Sequence, residues 1–234
     1  MRIDKFISEM GIASRKEASR AASRGMVSVN GVAVKDLSAH IDPETARVVY
    51  MGREISYLKF VYVMLNKPEG YVSATEDGKL PVVTELLPEE LRKRDLFPVG
   101  RLDRDTVGLM ILTNNGPLAH RLLSPAHHVE KLYFFRAAEP LPEGAEARFS
   151  KGVTLADGYE CKSAVLTLDP DRKSGTIALT EGKYHQIKRM IASFGNKVIF
   201  LERIAFSDIK LDPTLARGEW RLLTDAEAKQ LEQY

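Results

Sequence analysis

Cysteine is almost missing from this 234-residue chain, where Cys161 stands alone. That excludes an internal disulfide, a paired redox thiol and a cysteine-rich zinc site. Tryptophan is equally scarce: Trp220 is the only one, so no cluster of indoles is available to stack on sugars. No apolar run approaches the ~20 residues of a membrane span. The first residues, Met1-Arg2-Ile3-Asp4-Lys5, carry an acid early and no apolar signal core. A cytoplasmic protein with no membrane partner is expected. Of five histidines only His127 and His128 are adjacent. Neighbours on a helix or strand point different ways, so a polar surface loop is expected there and no metal is called for.

An excess of one charge is also lacking, with 34 Lys and Arg against 32 Asp and Glu. The distribution is less even than the total. Residues 1–35 hold seven basic and three acidic residues, while the other 199 hold 27 and 29. A concentrated basic patch matters more to a polyanion than the average charge does.

The first sixty residues read as a separate module. Ile3, Phe6, Ile7 and Met10 have the spacing of a short amphipathic helix ending at Gly11. Ser14 and Glu17 fit a capping box, and the helix they open should stop near Arg24-Gly25. Lys16, Arg20 and Arg24 recur every four residues as one basic stripe, with Ala18, Ala21 and Ala22 on other faces. Alternating valines around Asn30-Gly31 predict a type I′ hairpin, and a further strand is expected from Arg47 to Met51. A charge stripe alone is most often a solvated helix face. The stretch as a whole resembles the S4 RNA-binding domain, through Arg2-Ile3-Asp4-Lys5-Phe6-Ile7, Ser14-Arg15-Lys16-Glu17-Ala18, and Arg24-Gly25 followed by Val27, Val29, Asn30 and Gly31. The resemblance implies that Arg2, Lys5, Arg15, Lys16, Arg20 and Arg24 face RNA phosphates.

Past about residue 58 the character changes. Strands are expected at 60–65, 109–113, 130–138, 163–169, 175–180 and 197–204. Helices are expected at 117–124, 143–150, 184–194 and 225–232, the last capped by Thr224. Strands neighbour strands too often for a doubly wound fold. The expectation is an α+β chain: a small domain at 1–58, then a domain at 59–234 with a mixed, largely antiparallel sheet.

Between Gly100 and Gly108 lies a polar loop with two acids, Asp103 and Asp105, and two arginines, Arg101 and Arg104. From the residues alone this could be a glycosidase-like carboxylate pair or a salt-bridged surface loop, and the second is the commoner case. The segment Gly100-Arg101-Leu102-Asp103, with Thr106, Gly108-Leu109 and Thr113-Asn114, resembles the central motif of pseudouridine synthases. Within them it is similar to the RsuA-type branch of the ribosomal small subunit. Leu65-Asn66-Lys67-Pro68-Glu69-Gly70-Tyr71, Glu130-Lys131-Leu132-Tyr133 and Glu181-Gly182-Lys183-Tyr184-His185-Gln186-Ile187-Lys188-Arg189-Met190 resemble three further motifs of that family, in its order. The sequence departs from the pattern at Leu132, where threonine is usual, and at Asn115, where an acid is usual.

The resemblance implies a cofactor-free isomerisation of a specific uridine of ribosomal RNA to pseudouridine. Asp103 would be the reactive carboxylate, acting either on ribose C1′ as a nucleophile or on the C2′ proton as a base. Lys188, on the flank of the apolar stripe Ile187, Met190, Ile191 and Phe194, would be its cationic partner, with His185 and Arg189 pointing more outward. Tyr133 would pack on the uracil, and Arg101 would fill the space of the extruded base or hold the backbone. Asn66, Lys67 and Arg189 are expected to support the cleft or touch RNA. The partner is expected to be 16S rRNA, free or in an assembling small subunit, and the enzyme a monomer. A 23S rRNA target, a non-catalytic S4-type assembly factor and a glycoside hydrolase are the alternatives.

RNA binding should be salt-sensitive, log affinity falling linearly with log salt. Glutamine at Lys16 and at Arg20 is expected to flatten that slope by about one unit per phosphate contact removed. A binding titration over a salt series checks this, and an affinity flat across salt would remove the basic N-terminal face as the anchor.

Overall fold

A computed structural model of the chain describes residues 1–124 and 126–234. Its contacts fall into two compact units. One is Met1–Val61 together with Leu87–Leu96, the other Tyr62–Leu86 together with Phe97–Tyr234. The return of 87–96 to the first unit is absent from the sequence reading, which breaks the chain once, after residue 58.

In the first unit, α1 (Ile3–Glu9) and α2 (Arg15–Ser23) pack on a four-stranded antiparallel sheet. Its strands are β1 (Val27–Val29), β2 (Val32–Ala33), β3 (Val48–Tyr50) and β4 (Arg53–Ile55), in the order β2-β1-β3-β4. Ser14 and Glu17 form the expected capping box. Asn30 and Gly31 both have positive φ, at 51° and 82°, as a type I′ turn requires. Ile3, Phe6, Ile7, Ala18, Ala22, Val27 and Val48 form the core, so the alanines let α2 approach closely while its basic residues stay outside. Helix α3 (Glu89–Arg92) joins this unit through contacts no hydropathy pattern announces. The buried Arg94 guanidinium donates to the Leu58 carbonyl. Gly11, at φ +72°, lies where a Cβ would strike the Glu90 carbonyl oxygen.

The second unit is built on one large sheet. Its strands are β5 (Tyr62–Lys67), β6 (Phe97–Pro98), β7 (Val107–Thr113), β8 (Lys131–Ala137), β9 (Val165–Leu168), β10 (Ser174–Leu179), β11 (Val198–Phe206), β12 (Ile209–Lys210) and β13 (Trp220–Leu222). The main order is β13-β5-β7-β11-β8-β10-β9, with β6 on β7 and β12 on β11. The central strands β5 and β7 are buried at every residue, which is why they read as continuous apolar runs. Around the sheet lie α4 (Gly116–Leu123), α5 (Ala145–Lys151), α6 (Gln186–Ala192) and α7 (Asp225–Glu232), the last opened by a capping box at Thr224. The fold is α+β and the sheet mixed and largely antiparallel. The short strands β6, β12 and β13 are not in the sequence reading, since two or three residues leave no periodicity to detect. Among the described residues, no helix is long and apolar enough to cross a membrane.

β7 and β11 form a parallel pair, Glu202 opposite Val107 and Arg203 opposite Gly108. Gly108 makes this possible. Its φ is +97°, and a Cβ there would lie 2.4 Å from the Arg203 carbonyl oxygen and 2.8 Å from Glu202 Cγ. Gly108→Ala is therefore expected to destabilise the second unit by about 1–3 kcal/mol from backbone strain, with the clash added. Gly116→Ala, with nothing within 4 Å of its Cβ, should change little. Urea midpoints of the two variants measure the contrast, and equal midpoints would show that β11 can move away at no cost.

Candidate active site

The loop between β6 and β7 is held from several sides. Ser73 Oγ donates to the Leu102 carbonyl at 2.9 Å and accepts the Leu102 N–H at 3.0 Å. The Thr106 N–H closes a turn on the Asp103 carbonyl at 3.1 Å, and the Gly70 N–H reaches the Arg104 carbonyl at 2.9 Å. Beneath the loop lies the end of β5. Lys67 is completely buried, and its Nζ donates to the carbonyls of Thr106 at 2.8 Å, Asp103 at 3.0 Å, Pro68 at 3.2 Å and Arg104 at 3.3 Å. Burial pulls the Lys67 pKa down to about 8, against the opposing pull of Asp105, Asp103 and Glu69.

Pinned in this way, the loop presents Asp103 to a cleft of about 600 Å³. The Asp103 side chain is 27% exposed, and its Oδ2 lies 2.9 Å from Lys188 Nζ. Lys188 also meets Asp105 Oδ1 at 2.5 Å. Burial disfavours the Lys188 ammonium, but hydrogen bonds and attraction from Asp105 and Asp103 outweigh it and hold its pKa above the usual lysine value. Asp105 likewise resists its own partial burial through Lys188, and its pKa is lowered. The sequence reading leaves Asp105 without a part in the site. The structure makes it the second carboxylate on the same ammonium.

His185 requires a correction. It was expected to point outward, yet its Nε2 lies 3.5 Å from Asp103 Oδ1. The expectation projected a helix starting at residue 184. The helix starts at Gln186, and His185 precedes it in the left-handed region at φ 49°, so a helical projection does not apply. Arg189 points away from Asp103, pairing with Asp157 at 2.5 Å.

Tyr133 forms another wall of the cleft, 8% exposed on β8. Opposite it on β11 stands Arg203, 1% exposed, with Nε donating to the Leu109 carbonyl at 2.7 Å. Burial lowers the Arg203 pKa, and the Tyr133 hydroxyl works against that. Arg203 is missing from the sequence reading. Its signal was there: Leu201, Arg203 and Ala205 alternate on the inward face of a strand. Arg101 is exposed on the rim of the cleft.

Asn66 and Lys67 require a second correction, because neither can touch RNA phosphate. They end a strand buried at all six residues. Asn66 Nδ2 donates to the Leu215 carbonyl at 2.7 Å, and its Oδ1 accepts from Arg217. Lys67 bonds to the loop that lines the cleft, and Asn66 to the segment at 215–217. In the first unit, Arg2 pairs with Asp4 at 2.8 Å and Lys5 with Glu9 at 3.4 Å. Arg15, Lys16, Arg20 and Arg24 are exposed along and just beyond α2. Of the two departures from the family pattern, Asn115 caps α4 by accepting the Leu118 N–H at 3.2 Å, and uses its amide to donate to Tyr62 Oη at 2.8 Å. Leu132 is half-buried beside Tyr133.

The family model for RNA pseudouridylate synthase matches residues 61–193, and that for the S4 domain matches residues 1–46. An uncharacterized RNA pseudouridine synthase of Bacillus subtilis is 41% identical over 97% of this chain and 96% of its own length. The ribosomal small subunit pseudouridine synthase A of Haemophilus influenzae is 39% identical over 99% of both chains. That of Escherichia coli is 40% identical over 97% of this chain and 98% of its own. A crystal structure of a pseudouridylate synthase, 36% identical and covering 99% of both chains, superposes with a TM-score of 0.70. The chain belongs to the RNA pseudouridine synthase family, in its RsuA-type branch with an N-terminal S4 domain. It is accordingly an isomerase.

Lys67→Met would take the ammonium from four carbonyls, of which those of Asp103 and Arg104 keep a backbone donor, and is expected to cost roughly 3 kcal/mol or more. The loss should grow with pH. The folded pKa of Lys67, about 8, lies below the unfolded value of 10.5. Between them the unfolded chain binds more protons, so the wild type gains stability as pH rises through that window, by at most about 1.4 kcal/mol per pH unit. The methionine variant lacks this gain. Urea unfolding of both proteins at pH 7 and 9.5 reads it, and a difference independent of pH would show that Lys67 titrates normally.

Proposed function

We propose that the chain converts a specific uridine of 16S ribosomal RNA to pseudouridine, with Asp103 as the reactive carboxylate. The observation that carries this is the Asp103 carboxylate, open to the cleft and held at 2.9 Å by an ammonium that is itself partly buried. The cleft volume of about 600 Å³ lies within the range of small-ligand sites and can hold one extruded nucleoside. The small-subunit target is supported by the full-length relatives named for that activity.

The reaction breaks the bond from ribose C1′ to uracil N1 and makes one from C1′ to C5. The proton leaves C5, and N1 gains one, so no atom or electron is exchanged with an outside molecule. Asp103 acts in ionised form, either attacking C1′ to give a glycosyl ester or removing the C2′ proton to give a glycal. Lys188 pairs with the carboxylate and holds it in place in the cleft. The uracil, once detached, turns against the ring of Tyr133 and bonds through C5 to C1′, releasing the Asp103 carboxylate where an ester has formed; the C5 proton leaves by way of the Tyr133 hydroxyl, which hands its own proton to water as it accepts, and N1 is protonated from water. Arg101 occupies the gap in the RNA stack. The base must leave its helix first, since duplex RNA hides its reactive edges. Arg2, Lys5, Arg15, Lys16, Arg20 and Arg24 supply the phosphate contacts of the S4 domain, which carries most of the chain's excess positive charge.

Transcripts of small- and large-subunit rRNA carrying tritium at uridine C5 test the proposal. Wild type is expected to release label from the small-subunit transcript, and Asp103→Asn to release none. Equal release by both proteins would remove Asp103 from the chemistry. Release from the large-subunit transcript alone would move the target to 23S rRNA. Binding without release from any rRNA would favour an assembly factor.

A further inference from the structure

Tyr184 is the most exposed of the large apolar side chains, at 73%, yet it lines the same cleft as Asp103. A lone exposed ring needs no explanation in itself; what sets this one apart is its place on the wall of the cleft. One face is already used: the rings of Tyr184 and His185 stack at 3.8 Å with their planes 20° apart. His185 in turn lies 3.5 Å from the Asp103 carboxylate. The carboxylate, the imidazole and the phenol ring thus follow one another outward from the reacting centre, and the outer face of Tyr184 is left bare.

The segment carrying this pair is held in place. The Lys183 N–H donates to Gln186 Oε1 at 2.9 Å. The Gln186 amide donates to Glu181 at 2.6 Å. Glu181 also accepts from the Lys162 N–H at 2.8 Å and from the Tyr159 hydroxyl at 3.0 Å. Lys183 Nζ lies over the Tyr159 ring, 4.8 Å from its centroid. His185 itself is kept at a positive φ that few residues adopt. A strained backbone under several hydrogen bonds presents a ring that touches nothing on its outer side. That is a preorganised surface for a flat, uncharged partner, and every nucleobase has such a face.

We propose that Tyr184, backed by His185, is the stacking platform for a nucleobase next to the target uridine. The inference rests on the pseudouridine synthase reading above and gives that cleft a second subsite, for a neighbouring base of a locally unstacked strand. Stacking is tolerant of base identity, so this subsite selects unpaired RNA at the target and leaves the choice of sequence to other contacts.

Two measurements test it. The first is the affinity for a single-stranded RNA decanucleotide carrying 2-aminopurine beside a central uridine, read by fluorescence. The base should be quenched on binding to wild type and to Tyr184→Trp. With Tyr184→Ala it should stay bright and bind about 5- to 150-fold more weakly. The second is tritium release from the small-subunit transcript, where the loss in Tyr184→Ala should fall on KM and leave kcat the lesser change. Tyr184→Phe should match wild type in both, since the ring and not the hydroxyl does the stacking. Quenching and affinity unchanged in Tyr184→Ala would overturn the inference, as would a loss in Tyr184→Phe equal to that in Tyr184→Ala. Failure of the underlying reading looks different: wild type would then release no tritium, while quenching would still report on the platform.

Discussion

A buried ammonium holds the loop on which the site depends. Lys67 has no exposed surface and spends its donors on backbone carbonyls at positions 68, 103, 104 and 106. Burying such a charge is unfavourable unless its hydrogen bonds are satisfied. Here the satisfying atoms are the carbonyls of the residue proposed to do the chemistry and of its neighbours. The carbonyls therefore face inward, and the Asp103 side chain is turned the other way, into the cleft. Ser73 and Gly70 add bonds from a second segment. The backbone at Asp103 is thus set before any RNA arrives, as a preorganised site requires.

Above the loop a second ammonium works under different conditions. Lys188 is only partly buried and faces two carboxylates, so its charge is favoured while that of Lys67 is opposed. The two lysines divide the work by depth. One orders backbone from within, and the other neutralises side chains at the surface of the cleft. Asp105 matters to this division. With Asp103 alone, Lys188 would form a neutral pair. A second carboxylate leaves the group of three with a net negative charge, so Asp103 is not fully compensated, which in the proposed reading favours its attack. His185, at the edge of the same group, can supply a further positive charge when protonated.

Much of this was legible in the sequence, and the failures are instructive. The capping boxes at Ser14 and Thr224, the Asn30-Gly31 turn and the long strands follow local rules that the chain obeys. The loop at 100–108 was visible as a polar stretch between glycines, but its residues alone favoured a surface ion-pair cluster. Only the resemblance of several motifs in order brought Asp103, Tyr133 and Lys188 together. What stayed hidden depends on tertiary placement. Lys67 was expected to support the cleft or touch RNA, and its complete burial follows from β13 and β7 flanking β5. His185 was misplaced by two residues of helix. Arg203 was overlooked because a charge in an apolar strand invites the assumption that it faces out.

Several cations around the site are already committed. Lys67 and Arg203 are buried, Lys188 holds two acids, and Arg189 and Arg217 pair with Asp157 and Glu202. Arg101 and Arg104 are exposed in the lining of the cleft and, among the described residues, form no ion pair within 4 Å, so the cleft itself keeps cations beside Asp103 and Asp105. Among the described residues, Lys16, Arg20 and Arg24 of the S4 domain form no ion pair within 4 Å. In the proposed reading the two sets of cations have different tasks. Electrostatic capture, strong but indifferent to sequence, belongs to the small domain. The catalytic unit is then free to keep its charges balanced around one carboxylate and to recognise an unpaired base by shape and stacking, which salt affects far less.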